Sequence, residues 1–568
     1  MRGSAVALVL LLASPVLAGD HDGLGTPRPR STDPSTAAVT TAWRNPSLAR
    51  TRTVVLEAID RLRALHIDGE GLAPDRMRED AIEALREYAA ARSFRLLEGD
   101  ARERFRRALQ HIPDGDLDAC LATVDGHLAL RTSEQATALQ DVLLRGAIST
   151  AGDPFTQVID ARAVERLAAT MTGQRLPGYG IKVAQGEFGA FTIDHVSRGY
   201  DAFDMGIQDG DTIVEVDGHP TVLSSRDDIL HRLQGDTRIT LRIWREGFTH
   251  GHDVTIEAKV PDGPNVDGEL LPGGVGYARI ESFGEQTPGD LEALLRRLDA
   301  KGMRALILDL RDNPGGSMVS CTTVARMFLG PGQVVCRETV REEGVLTTRV
   351  CTTEGDAVLS SRTPMIVLVN RGSASASEML AGALKDHGRA RLVGTRTYGK
   401  AAGQLPVPLV SAAGERFLLV SVMRYRTPAD RSPQGDGLEP DLVVPRFGYF
   451  PAEQEELLRL HTGGAFDRYL TDHSVQDEPG LLALADDDAG DLAKYPGFDE
   501  WRRGLQTTLD ANVVRRALRA AIRGWAARRK AKRFREDLED DIPLRHAHDL
   551  FVAELAPLPA APKPRRYY

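Results

Sequence analysis

The sequence predicts a multidomain α+β protein. Helical regions stand at both ends, a small β-rich unit follows the first, and an α/β core fills the space between. Three observations predict this. The 568 residues suffice for about three or four domains. Apolar residues recur every three to four positions near both ends, the helical period. In between, the period changes to short strands from about Gly178, then to continuous apolar runs alternating with helices from about Pro272.

The first residues read as a secretory signal peptide over 1–18. Arg2 is a basic start, AVALVLLLASPV is the apolar stretch, and Val16-Leu17-Ala18 permits cleavage after Ala18. The run is too short to span a bilayer. Export to a periplasm or beyond is therefore expected. Residues 19–45 are rich in Pro, Gly, Ser and Thr and read as a linker. Residues 46–165 read as a helical region, with TVVLEAIDRLRALHI and EDAIEALREYAAA carrying the helical spacing.

Residues 176–260 form the β-rich unit. GYGIKVAQ and AFTIDHV are strands, GIQDGDTIVEVDG is a turn and a strand, and SRDDILHRLQG is a short helix. TRITLRIWREG and HDVTIEAKV close it. The size and strand order are those of a small binding domain. Residues 268–446 form the core, where RALILDL and MIVLVN are apolar throughout, as strands covered on both faces must be.

Residues 447–568 are again helical. Residues 511–535 carry ten Lys or Arg and no acid, and Val513, Val514, Ala517, Leu518, Ala521, Ile522 and Trp525 make one apolar stripe. The plain reading is a helix docked on its own domain with a solvated basic face. The sharper one is peripheral contact with anionic lipid or an acidic partner. A net charge of −10 gives no reason to expect nucleic acid.

Of the four cysteines, Cys336 and Cys351 flank REEG, a hairpin turn that would set them opposite each other. They are either a disulfide or two buried thiols. No CxxC occurs, so zinc ribbons and redox motifs lack support.

Three segments could carry chemistry. In RGSASASEML, Ser375 and Glu378 fit the S-x-x-E capping box, so the serine is first of all a helix cap. A serine at a helix N-terminus also stands among outward-pointing N–H groups able to hold an oxyanion. GTRTYGKAAGQ imitates a phosphate-binding loop. It fails because Ala401 follows the lysine and QLPVPLV cannot continue as a helix. A nucleotide site is therefore not expected. Lys400, pressed into an apolar site, would lose its proton more readily and could activate a serine. His387 is another candidate base, although its place before Gly388 suits a helix end. RDNPGG, after RALILDL, lets backbone N–H groups approach a ligand, with Gly316 a candidate donor.

Together these segments resemble the C-terminal processing peptidases, also called tail-specific proteases. LDLRDNPGG, VNRGSASASEMLAGALKDHGRA, VGTRTYGK with Gln404, and DGLEPDLVV carry the resemblance, which runs from about Asp153 to Pro445. It implies a ClpP/crotonase-like peptidase core and a PDZ domain over the β-rich unit. It implies Ser375 as nucleophile, Lys400 as its base 25 residues on, and Gln404 orienting the lysine. The oxyanion donors would be the N–H groups of Ala376 and Gly316, with Gly315 the alternative. Ala401 departs from the family's usual glycine. The N–H groups of Tyr179, Gly180 and Ile181 would capture a substrate's C-terminal carboxylate, the tail adding as a strand beside IKVAQ. The implied chemistry is acyl transfer through a covalent serine intermediate, and it needs no metal and no cofactor. The expected partners are polypeptides with exposed C-termini. An adaptor or activator protein and a homodimer through the terminal helices are left open. The rival reading is a catalytically silent scaffold that binds tails through the PDZ unit.

Overall fold

A computed structural model describes residues 45–555, apart from 92–93, 95, 131, 175, 186–190, 198, 222–228, 230–231, 234–236, 261–263, 343–344, 413–415, 446–450, 531–537 and 539–540. The expected signal peptide and nearly all of the linker lie outside the described residues. So do most of SRDDILHRLQG and the second half of REEG.

The first helices are α1 (Pro46–Leu65), α2 (Pro74–Ala90), α3 (Gly99–Gln110), α4 (Leu117–His127) and α5 (Ser133–Ser149). Side-chain caps start several of them. Asn45 accepts the Ser47 N–H at 2.9 Å, and Asp116 accepts that of Ala119 at 2.9 Å. Their stripes close around Val54, Ile59, Leu62, Ile82, Leu85 and Leu143. The expected all-helical region 46–165 needs one correction. Residues Gln157–Asp160 form a strand, β1, which pairs with a strand from the core. Four residues are too few for a period to declare them. Helix α6 (Ala161–Thr172) follows.

The small unit is an antiparallel sheet of β2 (Ile181–Gln185), β3 (Phe191–Val196), β4 (Thr212–Val216), β5 (His219–Pro220), β6 (Arg238–Trp244) and β7 (His252–Glu257). Its order is β2-β3-β4-β6-β7, with β5 on β4, which leaves β2 at an edge. Burial alternates strictly along β6 and β7, so one face is core and the other solvent.

The core contains β8 (Val266–Leu271), β9 (Val275–Ile280), α7 (Thr287–Ala300), β10 (Ala305–Asp309), α8 (Met318–Leu329), β11 (Val334–Glu342) and β12 (Val345–Thr352). It continues with β13 (Met365–Val369), α9 (Ala376–Asp386), β14 (Arg391–Gly394), β15 (Ala402–Pro408), β16 (Arg416–Arg426) and β17 (Leu442–Val443). One sheet runs β17-β14-β13-β10-β9-β8, parallel except for β8. A second, antiparallel sheet runs β1-β16-β11-β12, with β15 also on β16. The first helices pack on this second sheet through Leu409, Leu418 and Val420.

The parallel sheet is buried on both faces, as its apolar runs demand. Leu306 and Leu308 pack under α7, α8 and α9. Ala305 and Ile307 face the other way, onto the last described helix.

That helix belongs to the C-terminal region: α10 (Pro451–Thr462), α11 (Ala465–Ser474), α12 (Glu478–Asp486), α13 (Phe498–Gly504), α14 (Ala511–Lys530) and α15 (Ile542–Leu555). Leu544, Ala547 and Phe551 of α15 cover the sheet. The expected stripe on α14 is buried, with Val514, Leu518 and Ile522 fully so. Its basic face is not simply solvated, which corrects the plain expectation. Arg515 is buried and pairs with buried Asp488. Arg519 and Arg523 donate to the carbonyls of Leu484 (3.1 Å) and Ala485 (2.7 Å) at the end of α12. A helix C-terminus favours such cations. Among the described residues, no helix is long and apolar enough to cross a membrane.

Candidate active site

Strand β13 ends in a turn that delivers Ser375 to the N-terminus of α9. Ser375 holds φ 55° and ψ −116°, outside the ordinary regions for a residue with a side chain. The turn is sewn to the RDNPGG loop after β10. The Asn313 carbonyl accepts the Ala374 N–H at 3.0 Å and the Ser377 hydroxyl at 2.9 Å. Asn313 Nδ2 donates to the Ile280 carbonyl at 2.9 Å.

Glu378 joins the serine turn to the lysine turn. It is fully buried, and its carboxylate accepts four bonds. They come from the N–H groups of Ser375 (3.0 Å), Gly399 (2.8 Å) and Lys400 (2.7 Å), and from the Thr397 hydroxyl (2.6 Å). Burial still outweighs these bonds and holds its pKa above the ordinary carboxylate range. Tyr425, on β16, ties the same two turns from the other side. Its hydroxyl donates to the Ser375 carbonyl at 2.8 Å and lies 3.3 Å from that of Lys400. Gly399 has φ +95°, and a Cβ there would stand 2.8 Å from the Gly435 carbonyl, so the lysine turn requires glycine. The DGLEPDLVV segment supports it, Leu438 donating its N–H to Thr397 Oγ1 at 2.6 Å.

Lys400 is enclosed. Its pKa is lowered to about 8, chiefly by burial and then by the neighbouring Lys182 ammonium, while Asp153 and Glu378 oppose the shift. Its Nζ lies 5.7 Å from the centre of the Phe155 ring. Gln404 donates its amide to the Phe155 carbonyl. It therefore braces the lysine's aromatic neighbour, a route the sequence did not suggest. The Ala401 N–H, at the departure from the family pattern, is held by Gln434 Oε1 at 2.8 Å. His387 stands at the far end of α9 and binds the Val334 carbonyl at 2.8 Å.

The two candidate glycines differ. The Gly315 N–H is spent on Asn313 Oδ1 at 2.9 Å. Gly316 lies opposite Phe283 in a parallel bridge. Both bridge bonds belong to Phe283: it donates to the Gly315 carbonyl at 2.9 Å and accepts from the Ser317 N–H at 2.7 Å. The Gly316 N–H consequently faces away from Phe283. A Cβ on Gly315 would stand 2.8 Å from the Ser375 Cβ, so the loop lies directly against the serine. Ala376 begins α9, where N–H groups lack helical partners.

The small unit reaches this centre. Lys182 of β2 places its Nζ 5.0 Å from the centre of the Tyr398 ring. His195 of β3 lies between Asp209 (3.3 Å) and Asp312 of the RDNPGG loop (2.9 Å). Arg371 pairs with Asp194 at 2.8 Å. Tyr179, Gly180 and Ile181 line a groove of about 500 Å³ that runs on to Asp312 and Pro314. The Ser197 N–H donates to the Gly180 carbonyl at 2.8 Å, which makes Ile181 and Val196 a non-hydrogen-bonded pair. The Ile181 N–H therefore points to the open edge of β2.

Glu378 was legible only as a cap. The sequence carries no local signal for Tyr425, Phe155 or Lys182, since each reaches the site by long-range folding.

The profile of a family described as Peptidase family S41 matches residues 274–444. A carboxyl-terminal-processing protease from Synechocystis sp. is 33% identical over 323 residues, 56% of this chain and 72% of that protein. A carboxy-terminal-processing protease from Bartonella bacilliformis is 32% identical over 325 residues, 55% of this chain and 72% of that protein. Among solved structures, the photosystem II D1 C-terminal processing protease aligns with a TM-score of 0.48 at 23% identity, over 71% of this chain and 94% of that one. A mixed α/β serine peptidase is the class of protein defined. The chain belongs to peptidase family S41.

Proposed function

We propose that the chain is an exported serine endopeptidase that cuts proteins at or near exposed or unfolded C-terminal tails. One observation carries this reading: the strained Ser375 turn and the Lys400 turn hang from the same Glu378 carboxylate. In this mechanism, neutral Lys400 takes the Ser375 proton and Ser375 attacks a peptide carbonyl. The N–H groups of Gly316 and Ala376 hold the oxyanion. Lys400 then protonates the leaving amine, and water releases the acyl-enzyme. Gln404 keeps Phe155 against the lysine. The core is of the ClpP/crotonase-like kind, and residues 176–260 are its PDZ domain. A substrate tail adds at the open edge of β2, its carboxylate held by the N–H groups of Tyr179, Gly180 and Ile181. The groove running on to Pro314 and the names of the two bacterial relatives support this. Residues 1–18 direct the protein to a periplasm or beyond.

The test is cleavage of an unfolded reporter ending in apolar residues, by wild type, Ser375→Ala and Lys400→Ala. Cleavage by wild type alone is expected. Cutting by Ser375→Ala would remove Ser375 as nucleophile. Tail binding by wild type without cutting would favour the scaffold.

A further inference from the structure

On the hairpin of β11 and β12, behind the active site, three metal-ligating side chains share one face. Cys336 and Cys351 are direct cross-strand partners, and partners in an antiparallel pair point to the same side. Glu338 is two residues from Cys336 and so points there too. The two sulfurs and a Glu338 oxygen all lie within 4.8 Å of one another. All four cysteines of the chain are free thiols.

Glu338 makes this more than a thiol pair. It is only 8% exposed. Its one hydrogen-bond neighbour among the described residues is the Cys336 thiol, a weak donor 3.8 Å away. Among those residues, no Lys, Arg or His pairs with it within ion-pair distance, and Arg349 acts on it only through space. Protein groups therefore do little for this largely buried carboxylate, and the rest of its solvation comes from the groove that it helps to line. A disulfide between the thiols would leave it as it is, whereas a cation between the three groups would serve all of them.

We propose that Cys336, Cys351 and Glu338 bind a borderline-soft divalent cation of the zinc class. Two thiolates and a carboxylate suit such an ion. Tetrahedral ligand atoms lie roughly 3.3–3.8 Å apart for bonds of about 2.0–2.3 Å, so small side-chain rotations close the site. Binding expels two thiol protons to water. A groove of about 460 Å³, lined by Met318, Thr322, Arg349 and Glu354 as well as Cys351, gives entry and leaves the fourth position open. Glu338 is also the cross-strand partner of Tyr425, so the site stands next to the tyrosine that ties Ser375 to Lys400. The set His250, His252 and Glu455 is less needy, because Glu455 already accepts the Thr249 N–H and hydroxyl at 2.8 Å each.

The experiment uses the full chain, reduced, stripped with a chelator and titrated with Co²⁺. One equivalent should bind with thiolate-to-cobalt charge-transfer absorption. Cys351→Ser should abolish that band. Glu338→Gln, which keeps the shape, should weaken binding at least about tenfold. Zn²⁺ should raise the Tm of wild type and not of Cys351→Ser. Cobalt bound without a thiolate band would assign the ion to the histidines and overturn the proposal. So would a band that survives Cys351→Ser. A Cys336–Cys351 disulfide found by peptide mapping of the protein before reduction would overturn it as well.

Discussion

At Ser375 a residue with a side chain is held where few such residues go, at φ 55° and ψ −116°. Conformations of this kind cost about 1–3 kcal/mol and persist only when their surroundings enforce them. Glu378 does so here through the Ser375 N–H, and Tyr425 through its carbonyl. Glycine tolerates positive φ, so Ser375→Gly should raise unfolding stability by about 1 kcal/mol while abolishing cleavage. Ser375→Ala should abolish cleavage without that gain. Paired denaturant titrations check this, and equal stability for the two variants would mean the turn is not strained. Lys400 sets a second expectation. A base with a pKa of about 8 is neutral only toward alkaline pH, so kcat/KM should rise with pH through about 8. The Lys182 charge helps to depress that pKa. Lys182→Met should therefore move the rising limb to higher pH, and an unmoved limb would show that Lys182 does not act on the base.

Between elements, His195 is the group to watch. Burial pushes its pKa down, but the Asp209 and Asp312 carboxylates outweigh burial and hold the imidazolium above the ordinary histidine range. Other charges face the same corner: Asp194 beside it with Arg371, Lys182 across the β2–β3 pair, and Arg279, which lies 3.7 Å from Asp312. A raised histidine pKa contributes attraction that is complete below about pH 6.5 and fades as pH rises through the folded value. Docking of the small sheet on the RDNPGG loop should loosen over that window. Hydrogen exchange in β3 and in residues 312–316 should speed up with pH beyond its intrinsic rate, and His195→Gln should remove the dependence. A wild-type protein equally protected at both ends of the window would sink the idea. Loosening would also draw Lys182 of β2 away from Lys400 and raise the pKa of that amine, so the two effects of alkaline pH oppose each other.

Over the whole molecule, legibility followed the range of each interaction. The strands β10 and β13 and the helix α9 were plain, because continuous apolar runs and a capping pattern are local signals. The motifs that carry the family resemblance mark the segments of Ser375, Lys400, Gly316 and Ala376, and the fold brings those segments together. Glu378 was visible as a cap, yet its bonds to Gly399 and Lys400 span 21 and 22 residues and leave no periodic trace. Strand β1 was lost inside a helical region because its partner, β16, comes more than 250 residues later. The arginines of α14 misled for a related reason: a basic face looks solvated until the end of α12 is found beneath it. Helix α15 gives the prediction at this scale. Phe551 is buried against the parallel sheet, so Phe551→Ala should destabilise the fold by about 3–5 kcal/mol, read by denaturant midpoint. A shift below 1 kcal/mol would mean α15 is not integral to the core.

The bond between Arg311 and Asp541 spans 230 residues of chain. Arg311 also holds Asp309, whose carboxylate takes the Tyr277 hydroxyl at 2.8 Å, directly before the RDNPGG loop. During synthesis, Ser375 and Lys400 leave the ribosome long before Asp541 and α15. Until those residues arrive, one face of the sheet under the serine turn stays bare and Arg311 lacks its second carboxylate. The sheet that carries the serine and lysine turns is therefore closed only by a segment that lies 230 residues beyond Arg311.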